Sequence, residues 1–95
     1  MAVQRFSVTK PINKKNLEDV PGDKPGVYRI KSAQGEILYI GKAKGGRLDD
    51  RIREHTGRFQ KGNCFQYRIT PTKERAEKLE LQEIKKHIPP RNRRK

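Results

Sequence analysis

The fold is decided by two short stretches, GVYRIK at residues 26–31 and EILYIG at residues 36–41. Both are rich in β-branched and aromatic residues, and the polar segment between them ends in Gly35. This pattern predicts strands at residues 27–31 and 36–41 that are joined as a β-hairpin.

A helix and a third strand are predicted after the hairpin. Leu48 and Ile52 recur at helical spacing, which predicts a helix from residue 47 to about residue 56, and Gly57 is placed to end it. Residues 64–70 alternate enough between apolar and polar types to predict a strand.

The last predicted element is a longer helix from about Thr72 to His87. Thr72 suits the N-cap position because its hydroxyl can accept a backbone N–H of the first turn. The buried side of this helix is expected to carry Ala76, Leu79 and Ile84. The order β-β-α-β-α predicts an α+β fold in which helices flank a small three-stranded, mostly antiparallel sheet.

Length and composition bound the number of domains. A chain of 95 residues, 31% of them hydrophobic, can build one domain with one modest core. We expect a basic arm or lead-in at residues 1–24, with at most one helical turn, a folded domain at 25–90 and a basic tail at 91–95.

The net charge predicts the partner. A formal charge of +13 exceeds what solubility requires and indicates nucleic acid or an acidic membrane surface. Nucleic acid is favoured, because the basic residues are spread along the chain instead of lining one amphipathic helix. The lack of a long apolar run or a signal-peptide core predicts a cytoplasmic protein with no membrane partner, and the single Cys64 excludes an intrachain disulfide.

Tyr28 and Tyr39 are the first candidates for chemistry. The strand period lets a hairpin place both hydroxyls on one surface, although ordinary core packing would explain either ring alone. Gly26 and Gly41 border the two tyrosines, where a missing side chain lets a phosphate approach the backbone.

Arg51 and His55 lie four residues apart and should project from one face of the first helix. The planar donors of Arg match two phosphate oxygens at once, while a solvated charged pair is the alternative in a chain that is 37% charged. Asp49 and Asp50 point about 100° apart on a helix. We interpret them as first-turn carboxylates favoured by the helix dipole and not as a metal pair.

Glu80 falls within the apolar side of the second helix, where an unpaired charge is costly unless it meets a cation. A metal ion would supply that cation, and an ion pair with Lys73 or Lys85 is the alternative. Glu77 and Glu83 could border the same face, so helical geometry does not choose among the three carboxylates. A phenol, a guanidinium, an imidazole and a carboxylate together predict a small nuclease.

The chain resembles the GIY-YIG nucleases over most of its length, from about residue 20 to residue 92. Gly26-Val27-Tyr28 resembles the first signature, with Val in the middle, and Tyr39-Ile40-Gly41-Lys42-Ala43 resembles the second. Leu79-Glu80 and the residues after it resemble the metal-glutamate helix of the family, and Asn92 matches a polar residue near the end of the family core.

The helix arginine of the family matches Arg51, and His55 follows one turn later, where many members carry His or Tyr. Arg51 comes ten residues after Gly41, whereas family members commonly place the arginine eight residues after this glycine. A two-residue extension at 45–46 accounts for the difference. If that loop were helical, Arg47 would take the role of the arginine instead.

The resemblance implies an endonuclease with one divalent cation per site, Mg²⁺ or Mn²⁺, held by Glu80. Tyr28 would accept or relay a proton, its pKa lowered by neighbouring cations, and Tyr39 would fix the geometry. Arg51 would neutralise phosphoryl charge, and His55 would position Tyr28 or the attacking water. The expected substrate contacts are Gly41, Lys42, Lys44, Arg47 and Asn92.

The main rival is a non-catalytic nucleic-acid-binding protein on a degenerate nuclease fold. Charge and size fit both, but a retired nuclease usually loses its metal carboxylate or its arginine, and this chain retains candidates for both. DNA is the expected partner, RNA is not excluded, and the sequence leaves the oligomeric state open.

Overall fold

A computed structural model describes residues 6–43, 47–54 and 64–89. In these ranges the chain forms four strands and three helices. In chain order they are β1 (Lys10–Pro11), α1 (Lys14–Glu18), β2 (Gly26–Lys31), β3 (Ile37–Ala43), α2 (Leu48–Arg53), β4 (Cys64–Ile69) and α3 (Lys73–His87).

The strands form one antiparallel sheet in the order β1-β4-β2-β3. The predicted α+β class is confirmed, and the three predicted strands are β2, β3 and β4. The expected strand count was wrong by one, because β1 was assigned to the arm. A two-residue strand is too short to show the alternation that identifies strands. Pro11 also lacks a backbone N–H, and only an edge strand tolerates that loss.

The segment before β2 belongs to the folded unit. Leu17 on α1 is 3% exposed and Val20 is 4% exposed, and both pack in the main core cluster. Asn13 caps α1 by accepting the backbone N–H of Asn16 at 2.8 Å. Packing therefore joins this segment to the domain predicted at 25–90, whose boundaries stay a prediction, while the predicted tail at 91–95 lies outside the described residues.

Each face of the sheet is covered by helices. On one face Tyr28 and Ile30 of β2 pack in the same cluster as Leu48 and Ile52 of α2 and Leu17 of α1. The other face is covered by α3, and its cluster centres on Val27, Ile40 and Ala76. The alternation of β2 residues between two apolar layers explains why this strand is buried almost throughout.

The helix α3 confirms the prediction for its N-cap. The Thr72 hydroxyl accepts the backbone N–H of Arg75 at 3.1 Å, and the buried face carries Ala76, with Leu79 and Ile84 packed beside it. Among the described helices, none combines the length and apolar character needed to cross a bilayer.

Candidate active site

The Tyr28 side chain crosses the neighbouring strand over Gly41. These two residues are register partners, and a Cβ added to Gly41 would lie 2.3 Å from the Tyr28 hydroxyl oxygen. The glycine is therefore needed inside the protein, since any larger residue would displace the ring. Because β3 is an edge strand, the Tyr28 hydroxyl lies over an outermost strand of the sheet.

Packing inside the protein also requires a glycine at position 26. A Cβ at that position would lie 2.6 Å from the backbone carbonyl oxygen of Arg68 on β4. The sequence suggested that both glycines let a phosphate approach the backbone. In the structure, the space that a side chain would take at each position is occupied by other residues of the protein.

Tyr39 lies beside Tyr28, as the hairpin pattern predicted. Its register partner is Ile30. Tyr39 and Gly41 are two residues apart on β3, so they lie on the same face of the strand. The ring centroids of the two tyrosines are 6.2 Å apart with planes tilted by 38°. Tyr28 is buried and Tyr39 is half-buried, so the pair joins the core to the sheet edge.

The electrostatics around Tyr28 bring together residues from three elements. Burial raises the pKa of the Tyr28 phenol above its ordinary value, and interaction with Tyr39 raises it further. Arg51 lowers this pKa, while Glu54 and Glu80 raise it. The hydroxyl thus lies within the fields of α2 and α3 as well as β3.

Without a bound metal the pKa of Tyr28 is raised, and its lowering by Lys42, Arg51 and a metal ion together stays a prediction. Loss of hydration outweighs the attraction of Arg51, since the charged phenolate is disfavoured in the core. The phenol is held protonated at neutral pH.

Glu80 approaches the same sheet edge from the opposite face. Its side chain is 13% exposed, and the Lys42 Nζ donates a hydrogen bond to its Oε1 at 3.0 Å. The cation that Glu80 meets in this structure is therefore Lys42 of β3, and not Lys73 or Lys85 of its own helix.

The donor chemistry of Glu80 fits a magnesium ion. A carboxylate has about four lone-pair positions, and Lys42 occupies one of them. Within the ranges described, His, Cys, Asp and Glu form no group of three around a common point. Mg²⁺ typically binds through one or two carboxylates and retains several waters, so one protein carboxylate suffices.

The structure separates the three glutamates that helical geometry left open. Glu83 is 8% exposed and pairs with Arg29, whose Nε donates to Glu83 Oε1 at 2.9 Å and whose Nη2 contacts the same oxygen. Glu77 is exposed. Of the three, only Glu80 contributes to the electrostatics of Tyr28.

The two candidate arginines differ in position. Arg51 lies on α2 and acts on the Tyr28 hydroxyl, and its Nη1 lies 3.8 Å from Glu54 Oε1. Arg47 precedes α2 in the left-handed conformation, with φ 70°, and its side chain is 72% exposed, 3.5 Å from Asp50. The geometry favours Arg51. Asp49 and Asp50 lie in the first turn of α2, as predicted.

Three predicted site residues, His55, Lys44 and Asn92, lie outside the described residues. Glu54 is a member of the site that sequence reasoning missed. Its spacing of three residues from Arg51 is the usual signal of a helical ion pair and could have identified it.

Comparison with known proteins gives a consistent family. The family model described as the UvrC-like GIY-YIG domain matches residues 24–93. The UvrABC system protein C of Clostridium botulinum is 39% identical over 87 residues, and that of Dehalococcoides mccartyi is 39% identical over 78 residues. These alignments cover 80% and 70% of this chain but only 14% and 12% of the relatives. The chain therefore corresponds to about a seventh of their length.

Solved structures give the same result. The GIY-YIG N-terminal endonuclease domain of UvrC from Thermotoga maritima, bound to magnesium as its catalytic divalent cation, superposes with a TM-score of 0.67 at 26% identity. The match covers 86% of this chain and 100% of that domain. A point mutant of that domain, also bound to its catalytic divalent cation, gives a TM-score of 0.67.

Proposed function

The chain belongs to the UvrC-like GIY-YIG domain family of nucleases, and from this premise we propose that it is a divalent-metal-dependent endonuclease that hydrolyses DNA phosphodiester bonds. The observation that carries the proposal is the position of the Tyr28 hydroxyl over Gly41, at a sheet edge that it shares with Glu80 and Arg51.

Glu80 would hold one Mg²⁺ or Mn²⁺ ion through the carboxylate positions that Lys42 leaves unoccupied. The bound ion supplies Lewis-acid chemistry, namely stabilisation of negative charge on phosphoryl oxygens. Lys42, released from part of its contact with Glu80, can donate to a substrate phosphate.

Tyr28 is the residue for proton transfer. Its buried phenol is positioned by the close fit over Gly41, and a positioned acid-base group contributes rate only when its geometry is fixed. Because burial raises the pKa of Tyr28, the phenol loses a proton only when cationic charge is added nearby. Arg51 already lowers this pKa in part, and a cation held by Glu80 would supply the additional charge.

Arg51 and Tyr39 would assist from either side of Tyr28. Arg51 is largely exposed on α2, and within the described ranges its ion pair is a long contact with Glu54, so its guanidinium can turn towards a phosphate. Tyr39 stabilises the position of the Tyr28 ring. His55, Lys44, Arg47 and Asn92 remain proposed contacts to substrate or water.

We propose DNA as the partner, DNA repair as the process and the cytoplasm as the setting. The similarity to relatives named UvrABC system protein C and to the endonuclease domain of a UvrC supports a nuclease in this role. RNA is the alternative substrate, because the roles proposed for the site residues involve the phosphate backbone and none involves a base.

The alternative function is a nucleic-acid-binding protein without catalysis. The Lys42–Glu80 ion pair is the specific observation in its favour, since this contact satisfies Glu80 without a metal.

Incubation of the purified protein with supercoiled plasmid and Mg²⁺ tests the proposal. We expect nicked product with Mg²⁺ and none with EDTA. Glu77→Gln is a matched control on the same helix that should cleave like the wild type. Plasmid that stays supercoiled while the protein binds it would support the binder instead.

A further inference from the structure

A basic groove lies on the side of α3 that is away from Glu80. It has a volume of about 430 Å³ and runs between the end of β4 and the first turns of α3. Its polar lining comes from Arg68, Thr70, Arg75, Lys78 and Gln82. Glu80 contacts β3 at one edge of the sheet, whereas Arg68 belongs to β4 on the other side of β2, so α3 separates the two sites.

The charge of this groove is unbalanced. Of the described residues that line it, three are cations and none is a carboxylate. Among the residues that the structure describes, Arg68, Arg75 and Lys78 form no ion pair, although acidic residues occur elsewhere on α3. The potential inside the groove therefore favours an anion.

The hydrogen bonding of Arg68 is incomplete. Its Nε is buried, and among the described residues it has no hydrogen-bond partner. Arginine is a donor only, and buried donors in folded proteins are almost always paired. Arg68 also lines the groove, so the described residues leave part of the hydrogen-bonding capacity of this guanidinium unused beside a cationic cavity.

The start of α3 adds to the same field. Thr70 and Pro71 line the groove just before the Thr72 cap, so the positive end of the helix dipole lies at its mouth. Arg75 and Lys78 project from exposed positions of the first turns and can follow a ligand that extends beyond the cavity.

We propose that this groove binds a backbone phosphate of nucleic acid, outside the cleavage site, through the side chains of Arg68, Arg75 and Lys78. The choice of nucleic acid rests on the proposed function. A polymer fits because the groove is open at its rim and because the chain carries a charge of +13. The groove would fix the position of the substrate relative to Glu80 on the far side of α3.

The first test measures the affinity for a short duplex DNA by fluorescence anisotropy over a range of salt concentrations, with EDTA present to prevent cleavage. Arg75→Gln combined with Lys78→Gln should flatten the slope of log affinity against log salt by about 0.9 for each phosphate that the variant no longer neutralises. Both positions are exposed on a helix, so the fold should persist.

The matched control is Lys14→Gln combined with Lys15→Gln. It removes the same charge from exposed positions on α1, which packs against the opposite face of the sheet. The proposal expects a smaller change of slope in this control. Equal changes in the two double variants would mean a diffuse charge effect and would overturn the proposal.

The second test observes the Arg68 Nε–H directly by NMR, with its signal assigned by its loss in Arg68→Lys. Addition of duplex DNA should shift this resonance, and Arg75→Gln with Lys78→Gln should reduce the shift. A response to inorganic phosphate but not to DNA would define a small-anion site and overturn the proposal. Because neither test needs cleavage, a chain that binds here but fails to cut plasmid would refute only the proposed enzyme activity.

Discussion

At the scale of single residues, one glycine determines what Tyr28 can do. Gly41 leaves the space that the ring crosses, and the burial that results raises the pKa of the hydroxyl. Packing and acidity therefore oppose each other at this position. A phenol that must lose a proton for catalysis depends on the charge around it, and this dependence can be tested in two ways.

Tyr28→Phe keeps the ring and the net charge and removes the hydroxyl. We expect DNA binding near the wild-type level and cleavage in Mg²⁺ slower by roughly 10² or more, as for loss of a positioned acid-base group. Tyr39→Phe should show a smaller defect of the same kind. Wild-type cleavage by Tyr28→Phe would leave the phenol without a chemical role.

The raised pKa of Tyr28 also predicts a loss of stability in alkali. In the unfolded chain the phenol ionises near pH 10, whereas in the folded protein it stays protonated to higher pH. The free energy of unfolding should therefore fall as the pH rises above about 10, where the unfolded state loses its proton first. Urea unfolding of the wild type and Tyr28→Phe checks this, because only the wild type should carry this part of the pH dependence.

At the level of secondary-structure elements, two glutamates on α3 have different partners. Glu80 meets Lys42 at the sheet edge, while Glu83, three residues on, pairs with Arg29 in a buried contact. Arg29 also stacks over Phe6, with 3.6 Å from its guanidinium carbon to the ring centroid. The second pair thus links α3 to the chain segment before β1.

These two positions should separate catalysis from stability. Glu80→Ala should abolish metal-dependent cleavage and leave the protein folded and able to bind DNA. Glu83→Ala strands Arg29 in a buried site and should cost about 3 kcal/mol of unfolding free energy, the lower end for breaking a buried ion pair. Plasmid cleavage and urea unfolding of both variants measure the contrast, with Glu77→Ala as a mild control. A stable Glu83→Ala protein would contradict the structural role.

The sequence predicted these elements where a long period or a cap was present. The N-cap of α3 and the β2–β3 hairpin follow from Thr72 and from the alternation around Tyr28. The edge strand β1 was missed, because two residues show no period. The Lys42–Glu80 and Arg29–Glu83 pairs were also missed, since they join residues 38 and 54 positions apart in the chain. Pairing at such separations depends on sheet order, which local patterns do not contain.

At the scale of the whole molecule, charge is the dominant property. A net charge of +13 on 95 residues exceeds what the described site needs for one scissile phosphate. The excess fits a protein that binds several backbone phosphates at once. Part of this positive charge is concentrated in the basic residues from the end of α3 to the C-terminus, and removal of the last three tests their contribution.

Truncation after Asn92 removes Arg93, Arg94 and Lys95, and with them up to three cations that can each neutralise a phosphate. If these residues follow the DNA backbone, the slope of log affinity against log salt should flatten by roughly 0.9 for each phosphate that is no longer neutralised. Cleavage at saturating DNA should change little, because the truncation leaves Tyr28, Arg51 and Glu80 in place. Anisotropy titrations of the full chain and the truncated chain over a range of salt measure the slope. An unchanged slope would make the tail a feature of solubility, and the excess charge would then have to act through the folded surface.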